Sequence, residues 1–278
     1  MIKVRPTLFL IALLGLIVWL VPAYGQLWRV ETTRWLSVTQ IDGNVQIVPL
    51  DSRARPARIG DRLSQVGDQL VTGQNATAEL AVDEGIARIA VAEKTQLQVR
   101  ALSIVRTGGH VTDLLIKRGQ ARLRVRRFTN PDSRLDLYTP AGVSGVRGTD
   151  FGITVQPEGQ TAVATLEGSV ALSAQNQTVL VSENLQSTVS PGEPPTPPEP
   201  LIDSPSLSIA VLKPIAEGSV NVLGSTDPVN LLEVVDKFLM LDEEGHFDIT
   251  VEIPSNRRIR AKVITPLGTK QTYELVVP

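Results

Sequence analysis

Past its first 25 residues the chain shows little helical periodicity, and apolar and polar positions alternate almost throughout. Alternation marks half-buried strands, because successive side chains of a strand point to opposite faces. In ARLRV, Ala121, Leu123 and Val125 share one face and Arg122 and Arg124 the other. ATAELAV groups Ala76, Ala78, Leu80 and Val82, a turn at Asp83-Glu84-Gly85 follows, and IARIAV supplies a return strand. Thr107-Gly108-Gly109 separates LSIV from HVTDLLI in the same way. Turns recur about every ten residues, the rhythm of an all-β architecture. DGNVQIV at 42–48, RGQARLRV at 118–125 and EGSVALS at 167–173 share a polar-Gly-x-apolar opening, at unequal intervals. The echo predicts one reused strand opening in a stacked or coiled sheet, with glycine supplying unusual backbone angles, and not a strict repeat.

The proline density of PGEPPTPPEPLIDSPS, residues 191–206, predicts a semi-rigid polyproline spacer between two domains. Beyond it, segments such as SVNVLGS, HFDITVEIP and RIRAKVITP predict six or seven short strands, a pattern that fits a small immunoglobulin-like β-sandwich over 207–278. At the other end, Lys3 and Arg5 precede an apolar run from Leu8 to Val21, followed by Pro22 and Ala23-Tyr24-Gly25. That is the layout of a secretory signal peptide over 1–25. If uncleaved, residues 7–24 would anchor the chain in the inner membrane instead, with Trp28 and Arg29 at the interface. Either way the expected location is periplasmic or extracellular. Residues 26–38 then read as a short connector and 39–190 as the first domain.

Composition narrows the function. A chain of 278 residues with 42% hydrophobic and 20% charged residues is globular. The net charge of −2 gives no ground for a nucleic-acid partner. The absence of cysteine removes disulfides, thiolate metal sites, a Cys nucleophile and a lipidated cysteine. Three Trp, three Tyr and five Phe offer few platforms for stacking sugars or bases. The two histidines, His110 and His246, each sit beside a turn, which suits neither a triad nor a zinc site. Asp83-Glu84 and Asp242-Glu243-Glu244 fall in turns and lack the spacing of a dedicated calcium loop. No enzymatic activity, metal or cofactor is expected.

The densest candidate is TPAGVSGVRGTDFGI, residues 139–153. It lacks the Lys-Ser/Thr pair of a Walker loop, has Ser144 where a dinucleotide loop needs glycine, and leads into a strand pattern. A nucleophile elbow would need glycine where Val146 stands. A backbone role remains: Pro140 fixes an angle and the glycines permit close approach. Arg147 is placed to bond carbonyls or a carboxylate such as Asp150 or Glu167.

This stretch resembles the signature of the FecR domain, TP-x-G-x-x-G-V-R-G-T-x-F. Thr139, Pro140, Gly142, Gly145, Val146, Arg147, Gly148, Thr149 and Phe151 all match, and Glu167 and Gly168 in VATLEGSVAL meet the family's glutamate-glycine turn. The resemblance spans roughly Thr39 to Pro191. It implies a FecR-like coiled-sheet domain serving as an exported, non-enzymatic binding or scaffolding module of the bacterial envelope. The family prototype is a membrane-anchored regulator that relays a signal from an outer-membrane iron transporter to a sigma factor, and that is the alternative reading. Since Leu8 already opens the apolar run, no cytoplasmic sigma-factor-binding region is expected here.

A second candidate lies in KRGQARLRVRRF, where Arg122, Arg124 and Arg126 alternate with Lys117, Arg118 and Arg127 nearby. They form either a solvated face or a reader of phosphate-bearing lipids, acidic glycans or an acidic protein. Arg53, Arg55, Arg58 and Arg62 form another basic run. The expected partner is thus an envelope protein or an anionic envelope polymer, with membrane contact only through the N-terminal segment.

Overall fold

The computed structural model describes residues 34–278 apart from 84 and 217, so the predicted leader or anchor lies outside the described residues. Every regular element among the described residues is a β-strand. The first module opens with β1 (Leu36–Asp42), β2 (Val45–Val48), β3 (Arg55–Pro56) and β4 (Arg62–Leu63). Next come β5 (Gln69–Thr72), β6 (Thr77–Val82), β7 (Ala87–Val91), β8 (Gln96–Ile104) and the long β9 (His110–Val125). Its second half holds β10 (Arg134–Tyr138), β11 (Val143–Val146), β12 (Asp150–Val155) and β13 (Thr161–Glu167). It ends with β14 (Ser169–Ala174), β15 (Gln177–Ser182), β16 (Leu185–Val189) and β17 (Glu199–Pro200).

These strands form two sheets that share β9. Sheet I runs β4-β1-β6-β7-β9-β12-β13-β16-β17. Sheet II runs β3-β2-β5-β8-β9-β10-β11-β14-β15. All neighbours are antiparallel except β9 and β10. Residues 110–118 of β9 pair with β8 in sheet II, and residues 119–125 pair with β7 and β12 in sheet I. The crossing falls at Gly119, whose φ is +95° and where a Cβ would stand 2.6 Å from Thr95 Cα. Only glycine takes that angle in that space without strain. The polar-Gly-x-apolar echo is therefore a sheet-crossing signal. Its other two copies also lie where the chain changes sheets, from β1 to β2 and from β13 to β14.

The alternation read in the sequence sets which side chains fill the space between the sheets. Ala121, Leu123 and Val125 point into one core with Leu36, Leu80 and Phe151. That core begins earlier than the expected connector at 26–38 allows. Leu36 and Val38 already belong to β1 and are buried, because LSV continues the apolar alternation one step N-terminally. Just ahead of them Arg34, 5% exposed, is tied down on every nitrogen. Its Nε and Nη2 donate to Asp83 Oδ2 at 3.0 and 2.8 Å, and Nη2 also donates to Thr112 Oγ1 at 2.7 Å. Nη1 donates to the carbonyls of Ser103 and Val111. His110 Nδ1 lies 3.2 Å from the same Asp83 oxygen.

The second module contains β18 (Ser208–Ala216), β19 (Ser219–Ser225), β20 (Leu231–Val234), β21 (Lys237–Phe238), β22 (His246–Glu252), β23 (Arg258–Ile264) and β24 (Lys270–Val276). They form a three-stranded sheet β18-β19-β22 and a four-stranded sheet β21-β20-β23-β24, all antiparallel. Val220, Val222, Leu232, Ile259 and Val263 fill a core of their own.

The proline-rich segment, expected as a semi-rigid spacer, is hydrogen-bonded to both modules. β17 pairs with the edge of β16. Thr196 N–H donates to the Thr188 carbonyl and Leu201 N–H to the Asn184 carbonyl, each at 2.8 Å. Ser187 Oγ donates to the Thr196 carbonyl at 2.8 Å. Past this edge, Thr265 Oγ1 donates to Asp203, and Tyr273 Oη donates to the Pro205 carbonyl at 2.9 Å. Proline removes its own N–H and is tolerated at a sheet edge, while the residues between the prolines supply the donors that fasten the strap.

The modules meet across the outer face of sheet I, and the described chain is one compact unit. At Gly152 of β12 a Cβ would fall 1.9 Å from the Pro266 carbonyl oxygen. Thr154 Oγ1 donates to the Val229 carbonyl at 2.9 Å, and the Gln120 side-chain amide donates to the Thr265 carbonyl. Lys94 Nζ lies 2.7 Å from Glu233, and Lys262 Nζ lies 2.7 Å from Glu93 and 2.8 Å from Glu233.

Two predictions follow from this packing. Replacing Arg34 with Met strands Asp83 and three acceptors, and urea unfolding is expected to read a loss of about 3 kcal/mol. Gly152→Val should part the modules: limited proteolysis is expected to cut within 191–206, where the wild type resists.

Candidate functional site

The signature stretch is a hairpin followed by a corner. Thr139 N–H donates to the Gly142 carbonyl at 2.9 Å, and Thr139 Oγ1 accepts the Gly142 N–H at 3.1 Å, closing the turn between β10 and β11 around the exposed Pro140. Thr161 Oγ1 braces Thr139 Oγ1 from β13 at 2.8 Å. Val146 is buried at the end of β11, and Gly145 faces Asp136 across the pair. The corner is Arg147-Gly148-Thr149. Gly148 has φ +144° and lies against the backbone of Arg127, while Thr149 exchanges both backbone bonds with Val125 at 2.8 and 3.1 Å. Phe151 then enters the core fully buried. Glu167 is exposed, and Gly168, at the crossing into β14, packs on Gly148 and Thr149.

Arg147 is exposed, and the carboxylate offered to it from the sequence, Asp150, is held by others. Arg122 grips Asp150 with Nε to Oδ1 at 2.9 Å and Nη2 to Oδ2 at 3.0 Å, and Arg124 Nε reaches Oδ2 at 2.9 Å. The cause is register: Asp150 lies directly opposite Arg124 where β12 pairs with β9. Burial alone would raise the Asp150 carboxyl, but the two guanidinium groups outweigh it and hold it below the usual range. The Arg122 guanidinium is raised above its ordinary value, chiefly by its hydrogen bond to Asp150.

The three arginines expected to act as one face therefore divide. Arg122 is half-buried, and its Nη1 also donates to the Leu267 carbonyl of the second module at 3.4 Å, so it belongs to the junction. Arg124 and Arg126 are exposed, and Arg126 lies just past the end of β9. Arg88 stands opposite Arg124 on β7. With Arg127 and Arg147 these make five exposed guanidinium groups around the corner. Beside them is a shallow cavity of about 350 Å³, lined by Arg124, Arg126, Arg127, Gly148, Thr149 and Glu167 among others. Thr149 is 5% exposed, and its hydroxyl has no hydrogen-bond partner there.

Other sequence candidates fall into structural roles. Arg55 of the run at 53–62 pairs with Asp61 at 2.7 Å, and Arg62 stacks on Trp35 at 4.0 Å. Asp242, Glu244 and His246 converge with ligand-type atoms in one exposed turn. There Asp242 Oδ1 already accepts the N–H groups of Glu244 and His246 at 3.1 and 2.7 Å. Arg34 and the ion cluster at the junction escaped the sequence reading. Arg34's partners lie 49 and 78 positions away, and no local pattern announces them.

Fold and site together define an all-β architecture: two sheets joined by a shared strand, with a second module packed on one of them. Residues 68–171 match the family described as FecR protein, so the chain carries a FecR domain, and the signature corner lies inside the matched segment. None of the curated proteins matches the chain. Among solved structures, two of a candidate anti-sigma factor from Parabacteroides distasonis ATCC 8503 are similar, at 13% and 14% identity and TM-scores of 0.41 and 0.40. Each alignment covers 48% of this chain and 59% of that one. A polysaccharide lyase aligns at 8% identity and a TM-score of 0.20, over 88% of this chain and 40% of its own.

The junction charges give a pH signature. Burial would raise the Glu93 carboxyl, but the Lys262 ammonium, the Asn75 N–H and Lys94 overcome it and leave the group below its ordinary value. Burial would lower Lys262, but Glu233 and Glu93 outweigh it and raise the ammonium. A lowered carboxylate stabilises above its unfolded pKa and loses that contribution as pH falls through the folded one. A raised lysine stabilises below its unfolded pKa and loses it as pH rises through the folded one. Module packing should thus be firmest between about pH 5 and pH 10. Urea midpoints across pH are expected to fall at both ends for the wild type, and to flatten at the acid end in Glu93→Gln.

Proposed function

We propose that the chain is an exported, non-enzymatic binding module of the bacterial cell envelope, holding an anionic partner at the basic corner of its FecR domain. The observation that carries this reading is the cluster of Arg88, Arg124, Arg126, Arg127 and Arg147, all exposed around one corner beside the unpartnered Thr149 hydroxyl. Guanidinium groups suit phosphate, sulfate and carboxylate oxygens, which they engage through paired N–H donors. Fixing the two modules against each other gives such a partner a rigid platform and lowers the entropy lost on binding. The division of seven strands into antiparallel sheets of three and four supports reading the second module as Ig-like. Export rests on the basic start, the apolar run and the small residues before Gln26. His110 and His246 each contact an aspartate beside a turn, an arrangement that supports positioning and not base catalysis.

The test is retention on heparin resin over a salt gradient. The wild type should elute only at raised ionic strength, and the Arg124→Ser, Arg126→Ser, Arg127→Ser triple variant should pass through at low salt. Equal, salt-insensitive behaviour of the two would remove the proposal. The apolar run at 8–21 also favours a second reading, a membrane-anchored FecR-like regulator. Fractionation with N-terminal sequencing separates the two: a soluble chain starting at Gln26 supports the module, and an intact membrane-bound chain supports the regulator.

A further inference from the structure

The basic corner has a counterpart of opposite charge. Between the β12–β13 turn of the first module and the start of β22 in the second lies a groove of about 610 Å³. Its floor is apolar, built from Leu239, Met240, Phe247 and Ile249, and Met240 is left 60% exposed. Its rim carries Glu158, Asp242, Glu243 and Asp248, and no Lys or Arg lines it. Glu193, on the strap leaving β16, sets its carboxylate against that of Glu243, and this like charge pushes the Glu243 carboxyl above its usual range. The repulsion is left uncompensated within the groove, so a cation placed there would relieve it.

A third feature fixes the shape of the ligand. β22 pairs with β19 on one side and with no other strand among the described residues, and its first four residues, His246 to Ile249, line the groove. Asp242 takes the N–H and the carbonyl of His246, so the open backbone of this edge begins at Asp248. An edge strand presents unpaired N–H and C=O groups, which proteins usually cover or guard with charge. The charge that guards this edge is acidic, with Asp248 and Glu252 on β22 and Glu243 ahead of it. Asn221 Nδ2 occupies one oxygen of Asp248 at 2.6 Å and leaves the other available. Such an edge repels an acidic strand and favours a basic one.

We propose that this groove docks an extended segment of a partner protein, one with Lys or Arg side chains flanking an apolar anchor, which adds as a fourth strand beside β22. The partner's backbone pairs with the free edge, its apolar residue covers Met240, and its cations meet Glu158, Glu243 and Asp248. Strand addition of this kind takes affinity from main-chain bonds and selectivity from the alternate side chains.

The experiment uses the full chain and a fluorescein-labelled Lys-Val-Lys-Leu-Lys-Val-Lys peptide, with Glu-for-Lys and Ser-for-Val/Leu versions as controls. Anisotropy should show binding of the first peptide alone, weakened about tenfold between about 0.05 M and about 0.5 M salt. The Glu158→Gln, Glu243→Gln, Asp248→Asn variant should lose about tenfold in affinity, and Met240→Ser about fivefold. Every substituted side chain is exposed, so unchanged urea midpoints are expected to show that these variants stay folded. Arg53→Ser, at an exposed position that does not line the groove, serves as the control that leaves peptide binding intact. Hydrogen exchange should slow at Asp248 and Thr250, whose N–H groups face the open edge, when the peptide is bound. Equal binding of the acidic peptide, no loss in the triple variant, or unchanged exchange along β22 would each overturn the proposal. So would salt-sensitive self-association without peptide binding, which would mean that a second copy of the chain fills the groove.

Discussion

The middle of sheet I, at β12 and β13, is buried on both faces, and the packing of the two modules follows from that. One face meets sheet II across the first core, and the other is covered by the second module. β12 and β13 accordingly lose the alternation that most strands of the chain keep: from Phe151 to Gln156 and from Thr161 to Thr165 every residue is buried. The outward positions hold Gly152, Thr154, Gln156, Ala162 and Ala164, which are small or carry a group that can bond outward. Small size allows loop backbone to lie directly on the sheet. The hydroxyl of Thr154 then satisfies the carbonyl of Val229, and the amide of Gln120 adds a second donor to the Thr265 carbonyl, which the Gly268 N–H also meets. A larger side chain at Gly152 and an unmet carbonyl at the loop are two forms of the same failure, because the space and the hydrogen bonds belong to one contact.

Charge does a different task at each depth. Arg34 is almost wholly enclosed, and its cost of desolvation is offset only because all its nitrogens find acceptors. Lys94, Lys262, Glu93 and Glu233 lie at intermediate depth and link the modules through alternating signs. Arg122 and Arg124 share Asp150 yet end in different roles, since one is turned under Leu267 and the other toward solvent. At the surface, positive charge collects at the signature corner and negative charge at the groove beside β22. Only the outermost groups remain free to meet another molecule.

Much of this was legible in the sequence where the cause is local. The alternation of Ala121, Leu123 and Val125 placed them in the core, and the glycine turn at 107–109 separated β8 from β9, because both effects act within a few residues. The repeated polar-Gly-x-apolar opening was visible as a pattern, but its meaning as a change of sheet depends on pairing partners far along the chain. The hydrogen bonds of the strap at 191–206 were not legible, because proline content reports a fixed φ and a missing donor and says nothing of where Thr196 and Leu201 send their own N–H groups. The beginning of the first module was placed too late for a related reason: Arg34 looks like an isolated surface charge until Asp83 and Thr112 are brought to it. Small residues in FGITVQ fit an ordinary strand equally well, so the covered face of sheet I left no mark that a single sequence could show.

The signature stretch illustrates how a motif can specify geometry and still locate a site. Three of its four glycines are accounted for by backbone: Gly142 closes a turn, Gly148 makes a corner and Gly152 admits the Pro266 loop. None of them needs a ligand. Yet by bending the chain between β11 and β12 the corner brings Arg147 and Thr149 beside the end of β9, where Arg124, Arg126 and Arg127 already stand. The same register that gives Asp150 to Arg122 and Arg124 leaves Arg147 exposed at the corner. In this protein a fold-defining turn and a concentration of free positive charge coincide because pairing register, and not any single residue, decides which arginines are neutralised.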